Sequence, residues 1–374
     1  MMITTESIKQ NFPSLDGKSY LNTAAESIPP LSVRAALLQY WEDKLQGMDG
    51  RDAHFAQEAE ARMRAAKLLN LNPNEVAFCS CSAEAYNLLA TALQLQTEDE
   101  VVISDLDFPS GATPWIAATV KPVVKLWKSQ EGVLELECLS PLLSDKTRLV
   151  QVSLVSFYNG YRIPWEPFVE LVRRLAPNAV LAVDLTQALG RCVLDCKGAD
   201  IMISSTHKWL LGPHGSCVVG VPEASASRVT TTAGGWYHLR NAFDADRFEK
   251  AIPKTGAASY SVGMPSFAPL YMMNAAMEFL LSVGVENIVA HADPLVCKVQ
   301  EGLIARGITP LAPLSGSGIV AFKHAEGEQL NRMLQSRNVH LMHQAGRLRV
   351  AVHGYNTDDD IGRFFDGLDE FFEK

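Results

Sequence analysis

Residues 204–215 of the chain read SSTHKWLLGPHG, and this stretch decides how the rest of the sequence is interpreted. It places Lys208 in a polar, glycine-containing turn directly after the apolar run at 199–203, which predicts a buried strand. A lysine at the end of a buried strand raises the free energy of the fold unless its charge is solvated, paired or removed. Loss of the proton leaves a neutral amine, which can condense with an aldehyde to form a Schiff base. The alternative is an ordinary surface lysine, whose stem covers apolar surface while its charge stays in water.

A carboxylate upstream of Lys208 occupies the corresponding place on another predicted strand. The apolar run at 179–183 ends in Asp184, and a small polar turn containing Gln187 follows. A carboxylate at the C-terminal end of a parallel strand faces the crevice in which α/β sheets bind ligands. Asp184 could also serve as a helix N-cap, but its combination with Lys208 favours a ligand site.

The two segments together resemble class V, fold-type I enzymes that depend on pyridoxal 5'-phosphate (PLP), a family that includes cysteine desulfurases, isopenicillin N epimerase and kynureninase. The resemblance implies that Lys208 holds PLP as a Schiff base. It implies that Asp184 keeps the pyridinium nitrogen protonated, so that the ring can accept electrons, and that Gln187 contacts the ring hydroxyl. Ser205 and His207 are further implied contacts of the cofactor, and His207 either orients the ring or assists proton transfer.

Two more turns resemble the cofactor-binding turns of the family. Residues 78–87 predict a strand, a polar turn and a helix start, and a helix N-terminus offers unpaired N–H groups to a phosphate. Ala83 stands where the family usually has threonine, so we expect the backbone amides of Ser82 and Ala83 to bind the phosphate. Ser82 is also typical of an N-cap. Phe108 follows the predicted strand 100–104, where the family lays an aromatic ring over the cofactor. The alternative is that Phe108 is a core residue.

The substrate-binding residues are implied by a segment near the C-terminus. Residues 347–360 read RLRVAVHGYNTDDD and match the Arg-x-Ser…Tyr-Asn-Thr-x-x-Asp segment of the family, with Ala351 in place of the serine. This implies that Arg349 binds the α-carboxylate of the substrate through two parallel hydrogen bonds. Asn22, in the opening segment that folds over the active site, and Trp236, in a Gly-Trp loop, are implied to shape the substrate pocket.

The resemblance also implies a homodimer. Residues 260–266 read YSVGMPS and are similar to the Gly-Thr-Pro-Ser turn of the family, which commonly reaches the phosphate bound by the neighbouring subunit. We therefore expect the region of Gly263 and Met264 to lie near the partner's site. Met264 replaces the threonine and removes a hydroxyl from that turn.

The reaction implied is a transformation of an α-amino acid through an external aldimine and a Cα carbanion, with Lys208 as the base at Cα. One group of cysteine desulfurases carries a nucleophilic cysteine just before the arginine segment, whereas residues 339–346 contain none. We therefore expect β-elimination of the C–S lyase type on a cysteine-derived or other β-substituted amino acid. A class V aminotransferase and an amino-acid epimerase remain alternatives. An inactive binding protein of the same fold is the alternative of another class.

The order of predicted elements indicates the fold class. Strands predicted at 75–79, 100–104, 148–156, 179–184, 201–204 and 216–221 alternate with helices at 31–47, 57–69, 83–93 and 167–175. This alternation is typical of an α/β fold with a mostly parallel sheet, which the resemblance specifies as seven-stranded fold type I. Helices at 267–281, 286–307, 329–337 and 359–372, with strands at 318–322 and 347–352, predict a smaller α+β domain. We expect an N-terminal arm (1–20), a large PLP-binding domain (21–265) and a small C-terminal domain (266–374). The N-terminal segment is a candidate part of the small domain.

Composition excludes several other classes. The chain has 374 residues, of which 47% are hydrophobic and 20% charged, with a net charge of −9. This is typical of a globular protein with more than one domain. Lysine and arginine are dispersed, so no nucleic acid is expected, and no apolar run approaches the roughly 18 residues of a membrane span. The N-terminus lacks an apolar signal core. The seven scattered cysteines predict a cytoplasmic protein, and they do not form the clusters that would predict a metal site.

Overall fold

The computed structural model describes residues 3–373 of the chain. A seven-stranded sheet forms the centre of the larger part of the molecule, and a three-stranded antiparallel sheet forms the centre of the C-terminal part. A third sheet consists of two short strands and joins the N-terminal residues to the C-terminal part.

The larger part contains most of the helices and strands. Its elements are, in chain order, α1 (Thr5–Asn11), β1 (Ser19–Tyr20), α2 (Leu31–Leu45), α3 (Arg51–Leu69), β2 (Val76–Cys79), α4 (Ser82–Leu93), β3 (Glu100–Ser104), α5 (Pro109–Ile116), β4 (Val123–Trp127), α6 (Leu136–Leu139), β5 (Thr147–Ser153), α7 (Trp165–Leu175), β6 (Val180–Asp184), β7 (Ile201–Ser205) and β8 (Cys217–Gly220). The C-terminal part follows with α8 (Phe267–Val283), α9 (Val285–Ala305), β9 (Ile319–Lys323), α10 (Gly327–Ser336), β10 (Val339–His340), β11 (Met342–Gln344), β12 (Arg347–Ala351) and α11 (Asp358–Phe372).

The strand order of the large sheet is β2-β8-β7-β6-β5-β3-β4. Only β8 runs against the others, because it is antiparallel to both of its neighbours, whereas the remaining pairs are parallel. The predicted mostly parallel sheet of seven strands is thus confirmed. The parallel direction brings the carboxyl ends of β2, β3, β5, β6 and β7 to one edge of the sheet, which is where α/β folds bind ligands.

Both faces of the sheet are covered, so its central strands are buried and mainly apolar. Every residue of β6 and of β7 is buried, as expected for parallel strands between two helical layers. Successive side chains of a strand point to opposite faces. Accordingly, Ala182 packs in the core layer that contains Leu89 of α4, and Val183 packs in the layer that contains Ala65 of α3 and Met273 of α8.

The C-terminal sheet has the order β11-β12-β9 and is antiparallel. Leu348 and Val350 of β12 pack in a core with residues of α9, α10 and α11. Arg347, Arg349 and Ala351 alternate with them and therefore lie on the opposite face of the sheet. That face is directed toward the larger part of the molecule, since Arg349 donates a hydrogen bond to the carbonyl oxygen of Phe157, in the turn after β5.

The N-terminal segment is attached to the C-terminal part. β1 pairs in parallel with β10, with Ser19 opposite Val339, and Asn22 forms an isolated bridge with Ala351 of β12. The chain then passes from the C-terminal sheet to the carboxyl edge of the large sheet. These pairings put the first strand of the chain beside elements that follow it by more than 300 residues.

Several elements differ from the sequence-based prediction. α3 begins at Arg51 rather than at residue 57, and β4 and α5 were not predicted. α5 contains Pro109 at its first turn and Pro114 inside, and proline there hides the helical pattern although it is well tolerated at a helix start. Taken singly, no helix within residues 3–373 has the length and apolar character needed to cross a membrane. The consecutive pair α8 and α9, bent by 76°, reaches that threshold by length and composition.

Candidate active site

Lys208 lies in a tight turn directly after β7. The turn is closed by backbone hydrogen bonds from Leu211 to the Lys208 carbonyl (3.0 Å) and from Gly212 to the Thr206 carbonyl (3.0 Å). The Thr206 hydroxyl donates to the Pro213 carbonyl at 2.7 Å, and its side chain is fully buried. The backbone beneath Lys208 is therefore held on both sides of the residue, which fixes the direction in which its side chain leaves the sheet edge.

The Lys208 amine lies in an apolar and partly charged environment. Its Nζ is 5.1 Å from the ring centroid of Phe108. Burial lowers the pKa of Lys208 to about 8, although the negative charges of Asp184 and Glu26 oppose this shift and the charge of Arg349 adds to it. With that pKa, roughly a tenth of the amines are neutral at pH 7, against less than about 0.1% for an ordinary lysine. Burial therefore increases the neutral fraction on which Schiff-base formation depends, while most of the amines remain protonated at pH 7.

Asp184 is the last residue of β6 and is buried. Its Oδ1 accepts a hydrogen bond from the backbone N–H of Thr186 at 2.8 Å. The Thr186 hydroxyl in turn accepts from the N–H of Ser205 at 3.1 Å, which ties the turn after β6 to the end of β7. The predicted pair of carboxylate and lysine thus lies at the carboxyl ends of two neighbouring strands, with Asp184 ending β6 and Lys208 in the turn after β7, and the Asp184 charge acts on Lys208.

Gln187 connects the Lys208 turn to the N-terminal segment. Its Nε2 donates to the Ala24 carbonyl at 3.0 Å, and its Oε1 accepts from the indole N–H of Trp209 at 2.6 Å. A carboxamide nitrogen carries two N–H groups. One of them is used by Ala24, and the second is the group with which Gln187 could reach the predicted ring hydroxyl.

The start of α4 lies at the same edge, after β2. Ser82 is the first helical residue and is buried, and the preceding Cys81 provides no side-chain cap. The first N–H groups of a helix have no intrahelical acceptor, so those of Ser82 and Ala83 are open to an external one. The Ser82 hydroxyl is 3.4 Å from the hydroxyl of Ser110 on α5. Ser110 was not among the predicted site residues, and its only sequence signal was its place two residues after Phe108.

Phe108 ends the connection from β3 and is the residue directly before α5. Its side chain is 42% exposed even though its ring lies beside the Lys208 amine, which disfavours the interpretation of Phe108 as a core residue. Phe157, in the turn after β5, packs against it edge to face, with ring centroids 5.0 Å apart. Phe157 was missed as a site residue, although its place after a predicted strand end was the same signal that singled out Phe108.

Arg349 lies on β12, with only 2% of its surface exposed. Its Nη1 donates to the Phe157 carbonyl at 2.6 Å, and its Nε has no hydrogen-bond partner among the described residues. Burial, followed by the charge of Arg347, lowers the pKa of Arg349 to about 9, so the guanidinium is still protonated at pH 7. A buried cation with open N–H groups is unfavourable by itself and becomes favourable when an anion binds.

His207 packs beneath the N-terminal segment. Its ring stacks on His214, with centroids 4.1 Å apart, and Nε2 of His214 is 2.7 Å from Oε2 of Glu26. Ser27 donates to the His207 carbonyl from both its N–H and its hydroxyl, each at 3.0 Å. Burial, then the charges of Lys208 and His214, lower the pKa of His207 to about 4. His207 is therefore neutral at pH 7. Glu26 and His214 were not predicted, since they meet only across the fold.

Asn22 lies beside β12, the strand that carries Arg349, whereas Trp236 lies away from Lys208. Asn22 bridges to Ala351, and its buried Oδ1 has no hydrogen-bond partner among the described residues. Trp236 packs against Phe243 at 5.8 Å in the loop after β8. Within residues 3–373, no ring contact or hydrogen bond joins Trp236 to Lys208.

The turn at Gly263 and Met264 is near the start of α4. The two residues line a cavity of about 190 Å³ together with Ser80 and Glu84, and Met264 is 40% exposed. The predicted contact with a partner subunit would join two copies of the chain, and it stays a prediction because the structure contains one copy. The position of the turn beside α4 is compatible with a role at the phosphate end of the site.

Comparison with known proteins shows likeness along nearly the whole chain. A family model described as Aminotransferase class-V matches residues 19–364. An uncharacterized aminotransferase of Bacillus subtilis, YcbU, is 28% identical over 368 residues, which cover 97% of each chain. A probable cysteine desulfurase of Pseudomonas aeruginosa is 29% identical over 389 residues, covering 96% of this chain and 94% of the relative.

A solved structure confirms the predicted fold. The cystine C–S lyase C-DES, in complex with its reaction product cysteine persulfide, has a TM-score of 0.84 to this chain at 20% identity. The match covers 96% of this chain and 99% of C-DES. The similarity therefore extends over both the large and the C-terminal parts.

Proposed function

Because the chain belongs to the class-V aminotransferase family, we propose that it cleaves a bond at Cβ of an amino acid by β-elimination. The membership confirms the resemblance inferred from the Lys208 and Arg349 segments and makes the protein a PLP-dependent enzyme. The proposed substrate is a cysteine-derived or other β-substituted α-amino acid, and the proposed reaction is of the C–S lyase type. The observation that carries the proposal is the buried, pKa-lowered Lys208 amine, with Phe108 beside it and the charges of Asp184 and Arg349 acting on it.

The residues around Lys208 fit the parts of PLP. A lysine with a lowered pKa suits the aldehyde, and the buried Asp184 carboxylate suits the ring nitrogen. The exposed ring of Phe108 suits the face of a planar heterocycle. The N–H groups of Ser82 and Ala83 suit the phosphate. When bound, PLP supplies an electron sink for the negative charge that develops at the substrate's Cα.

Lys208 is proposed as the base that removes the Cα proton. Its Nζ accepts the proton, the electron pair of the Cα–H bond forms a Cα–Cβ double bond, and the Cβ–S bond breaks with its electron pair leaving on sulfur. The negative charge of Asp184 would keep the ring nitrogen of bound PLP protonated. His207, neutral at pH 7, acts by hydrogen bonding and stacking, because only a small fraction of it is available as a charged acid.

Arg349 is proposed to bind the α-carboxylate of the substrate. Its Nη1 is anchored on the Phe157 carbonyl, and its Nε has no protein acceptor among the described residues. An arginine held in this way fixes the orientation of the substrate, which determines the bond at Cα that is broken. Asn22, with an unpaired buried Oδ1 next to Ala351, is proposed to contact the same end of the substrate.

Elimination is favoured over formation of a persulfide on the protein. Strand β11 and the residues on either side of it, 339–346, contain no cysteine that could act as a nucleophile beside Arg349. In β-elimination the leaving group departs directly and requires no thiol. The names of the relatives are consistent with sulfur chemistry, since one is a probable cysteine desulfurase. Amino-group transfer is the second candidate, because another relative is named as an aminotransferase.

Two further properties are proposed. We propose a homodimer in which the exposed Met264 region lies near the partner's site. We also propose a cytoplasmic protein, because all seven cysteines are free and several, such as Cys81, are accessible, as in a reducing compartment.

The proposal is tested by incubating the purified holoenzyme with a panel of amino acids and identifying the products. Pyruvate and ammonia, formed together with a released thiol or persulfide, indicate elimination. Conversion of the cofactor to its amine form indicates amino transfer, and incorporation of deuterium at Cα without net product indicates epimerisation. Lys208→Ala should abolish turnover of every substrate. The absence of pyruvate with all β-substituted amino acids would make elimination the wrong assignment.

A further inference from the structure

Strand β12 carries a second buried arginine beside the one proposed to bind the α-carboxylate. Arg347 precedes Arg349 by two residues and lies on the same face of the strand. Only 2% of its surface is exposed, and its Nε has no hydrogen-bond partner among the described residues. The charge of Arg347 acts on Arg349, and that of Arg349 acts on Lys208. Both arginines also lie beside Phe157, since Arg349 donates to its carbonyl and the guanidinium of Arg347 is 5.8 Å from its ring centroid.

The charge of Arg347 has no protein counter-ion. Among residues 3–373, no carboxylate lies within ion-pair distance of either Arg347 or Arg349. The guanidinium of Arg347 lies 4.1 Å from the ring centroid of Tyr158 and 5.8 Å from that of Phe157. Aromatic contacts of this kind cover the faces of a guanidinium and leave its N–H edge available for a planar anion. The neighbours of Arg347 thus orient it without neutralising it.

A third cation increases the positive charge on this face of the sheet. Lys323 of β9 is directly opposite Arg347 in the antiparallel pair, and its side chain is exposed. Directly opposite residues project from the same face, with Cβ atoms about 5 Å apart, and like charges there destabilise a sheet. Arg347 and Arg349 are buried, and neither they nor Lys323 have an ion-pair partner among the described residues. Such a group of like charges is expected where an anion from outside the chain binds.

We propose that Arg347, assisted by Lys323, binds a second anionic group at the end of the substrate's side chain. This inference rests on the proposed function, in which Arg349 binds the α-carboxylate. The Cα atoms of the two arginines lie about 7 Å apart along the strand. This spacing suits an amino acid whose short side chain ends in an anion. That anion is a carboxylate or a sulfur oxyanion, and both bind a guanidinium edge through paired oxygens. The enzyme is therefore selective for acidic β-substituted amino acids.

The binding test uses unreactive acids and the holoenzyme, with isothermal titration calorimetry as the readout. Glutarate has two carboxylates and pentanoate has the same chain length with one. Glutarate should bind the wild-type holoenzyme about tenfold or more tightly than pentanoate. Arg347→Gln should remove this preference and leave pentanoate affinity unchanged, whereas Arg347→Lys should retain part of it. Arg332→Gln, on the exposed face of α10, is the control and should behave as the wild type.

Several outcomes would overturn the inference. One is equal affinity of the wild type for glutarate and pentanoate, and another is an equal loss of both affinities in Arg347→Gln, which would indicate a structural role. If Arg347→Gln does not fold, Arg347→Lys and the exposed variant Lys323→Gln provide the same comparison. Lys323→Gln should lower glutarate affinity alone, by about twofold to threefold. Tighter binding of 3-sulfopropanoate than of glutarate would identify a sulfur oxyanion as the preferred group.

A kinetic arm separates this inference from the proposed function. In Arg347→Gln, kcat/KM should fall about tenfold to a hundredfold for a β-substituted amino acid with an anionic side chain, mainly through KM. The value for a neutral isostere should remain unchanged. If no amino acid undergoes elimination, the proposed function is wrong, but the glutarate preference and its dependence on Arg347 still decide whether the second anion site exists.

Discussion

Lys208 is a single residue whose environment raises the neutral fraction of its side chain above that of an ordinary lysine. Among residues 3–373, no carboxylate lies within ion-pair distance of its Nζ, and the ring centroid of Phe108 is 5.1 Å from it. Burial therefore dominates over the more distant charges of Asp184 and Glu26, and the pKa of the amine is lowered to about 8. A neutral amine is the nucleophile and the base that the proposed reaction requires.

The pKa of Lys208 can be measured directly. In cofactor-free protein treated by reductive methylation with ¹³C-formaldehyde, the Lys208 methyl resonance should titrate near pH 8, below the value of about 10.4 that is usual for a solvated lysine. Asp184→Asn removes a carboxylate that raises the pKa of Lys208, so the midpoint should move further down. A Lys208 midpoint near 10.4 in the wild type would show that the amine is solvated and would contradict the site described here.

Helix α4 is the element proposed to bind the phosphate, and the proposal concerns its backbone rather than its side chains. Ser82 is the first helical residue, and the preceding Cys81 has extended backbone angles (φ −161°, ψ 166°). Proline is well tolerated at the first helical position, and it requires an extended residue before it. A proline at position 82 should therefore preserve the helix while removing one backbone N–H.

This property allows a test of backbone phosphate binding. Ser82→Pro should weaken PLP binding about tenfold or more, measured by absorbance titration of the cofactor-free protein, because one phosphate donor is lost. Ser82→Ala retains the N–H, is the matched control and should stay within a few-fold of the wild type. Circular dichroism should show unchanged helix content in both variants. Equal loss of PLP affinity in the two variants would instead assign the interaction to the serine hydroxyl.

At the scale of elements, strongly patterned segments were predictable and irregular ones were not. β6 and β7 are apolar runs that end in polar residues, Asp184 in β6 and Ser204 and Ser205 in β7, so their residues predicted both the strands and a site at their ends. α5 was not predicted, because its prolines interrupt the helical pattern. β1 and β10 have two residues each and are strands only because each pairs with the other across the fold.

At the scale of the whole molecule, helix α2 presents an apolar surface. Leu38, Trp41 and Leu45 lie on one side of the helix, and more than half of each side chain is exposed. Met48, just beyond the helix, is 72% exposed. A contiguous apolar surface of this kind marks an interaction site. We expect it to belong to the interface of the proposed homodimer.

The oligomeric state can be tested at this surface. Size-exclusion chromatography with light scattering should give twice the chain mass for the wild type and a shift toward the monomer for Trp41→Asp, because a buried aspartate would be unpaired in the interface. Leu314→Asp places the same charge at another exposed apolar position and should remain dimeric. A monomeric wild type at micromolar concentration would exclude the homodimer.

The sequence by itself determined the fold class and the family, and it predicted the reactive groups at Lys208, Asp184 and Arg349. Each of these is encoded locally, as an apolar run followed by a functional residue, and local patterns can be read along the chain. Only the tertiary structure decided what surrounds these groups. Phe157 reaches Phe108, Glu26 reaches His214, and Lys323 faces Arg347 because separate segments meet at one sheet edge or on one sheet face. Burial and electrostatic interactions depend on distances in space, so the lowered pKa of Lys208 and the unpaired charge of Arg347 follow from the fold.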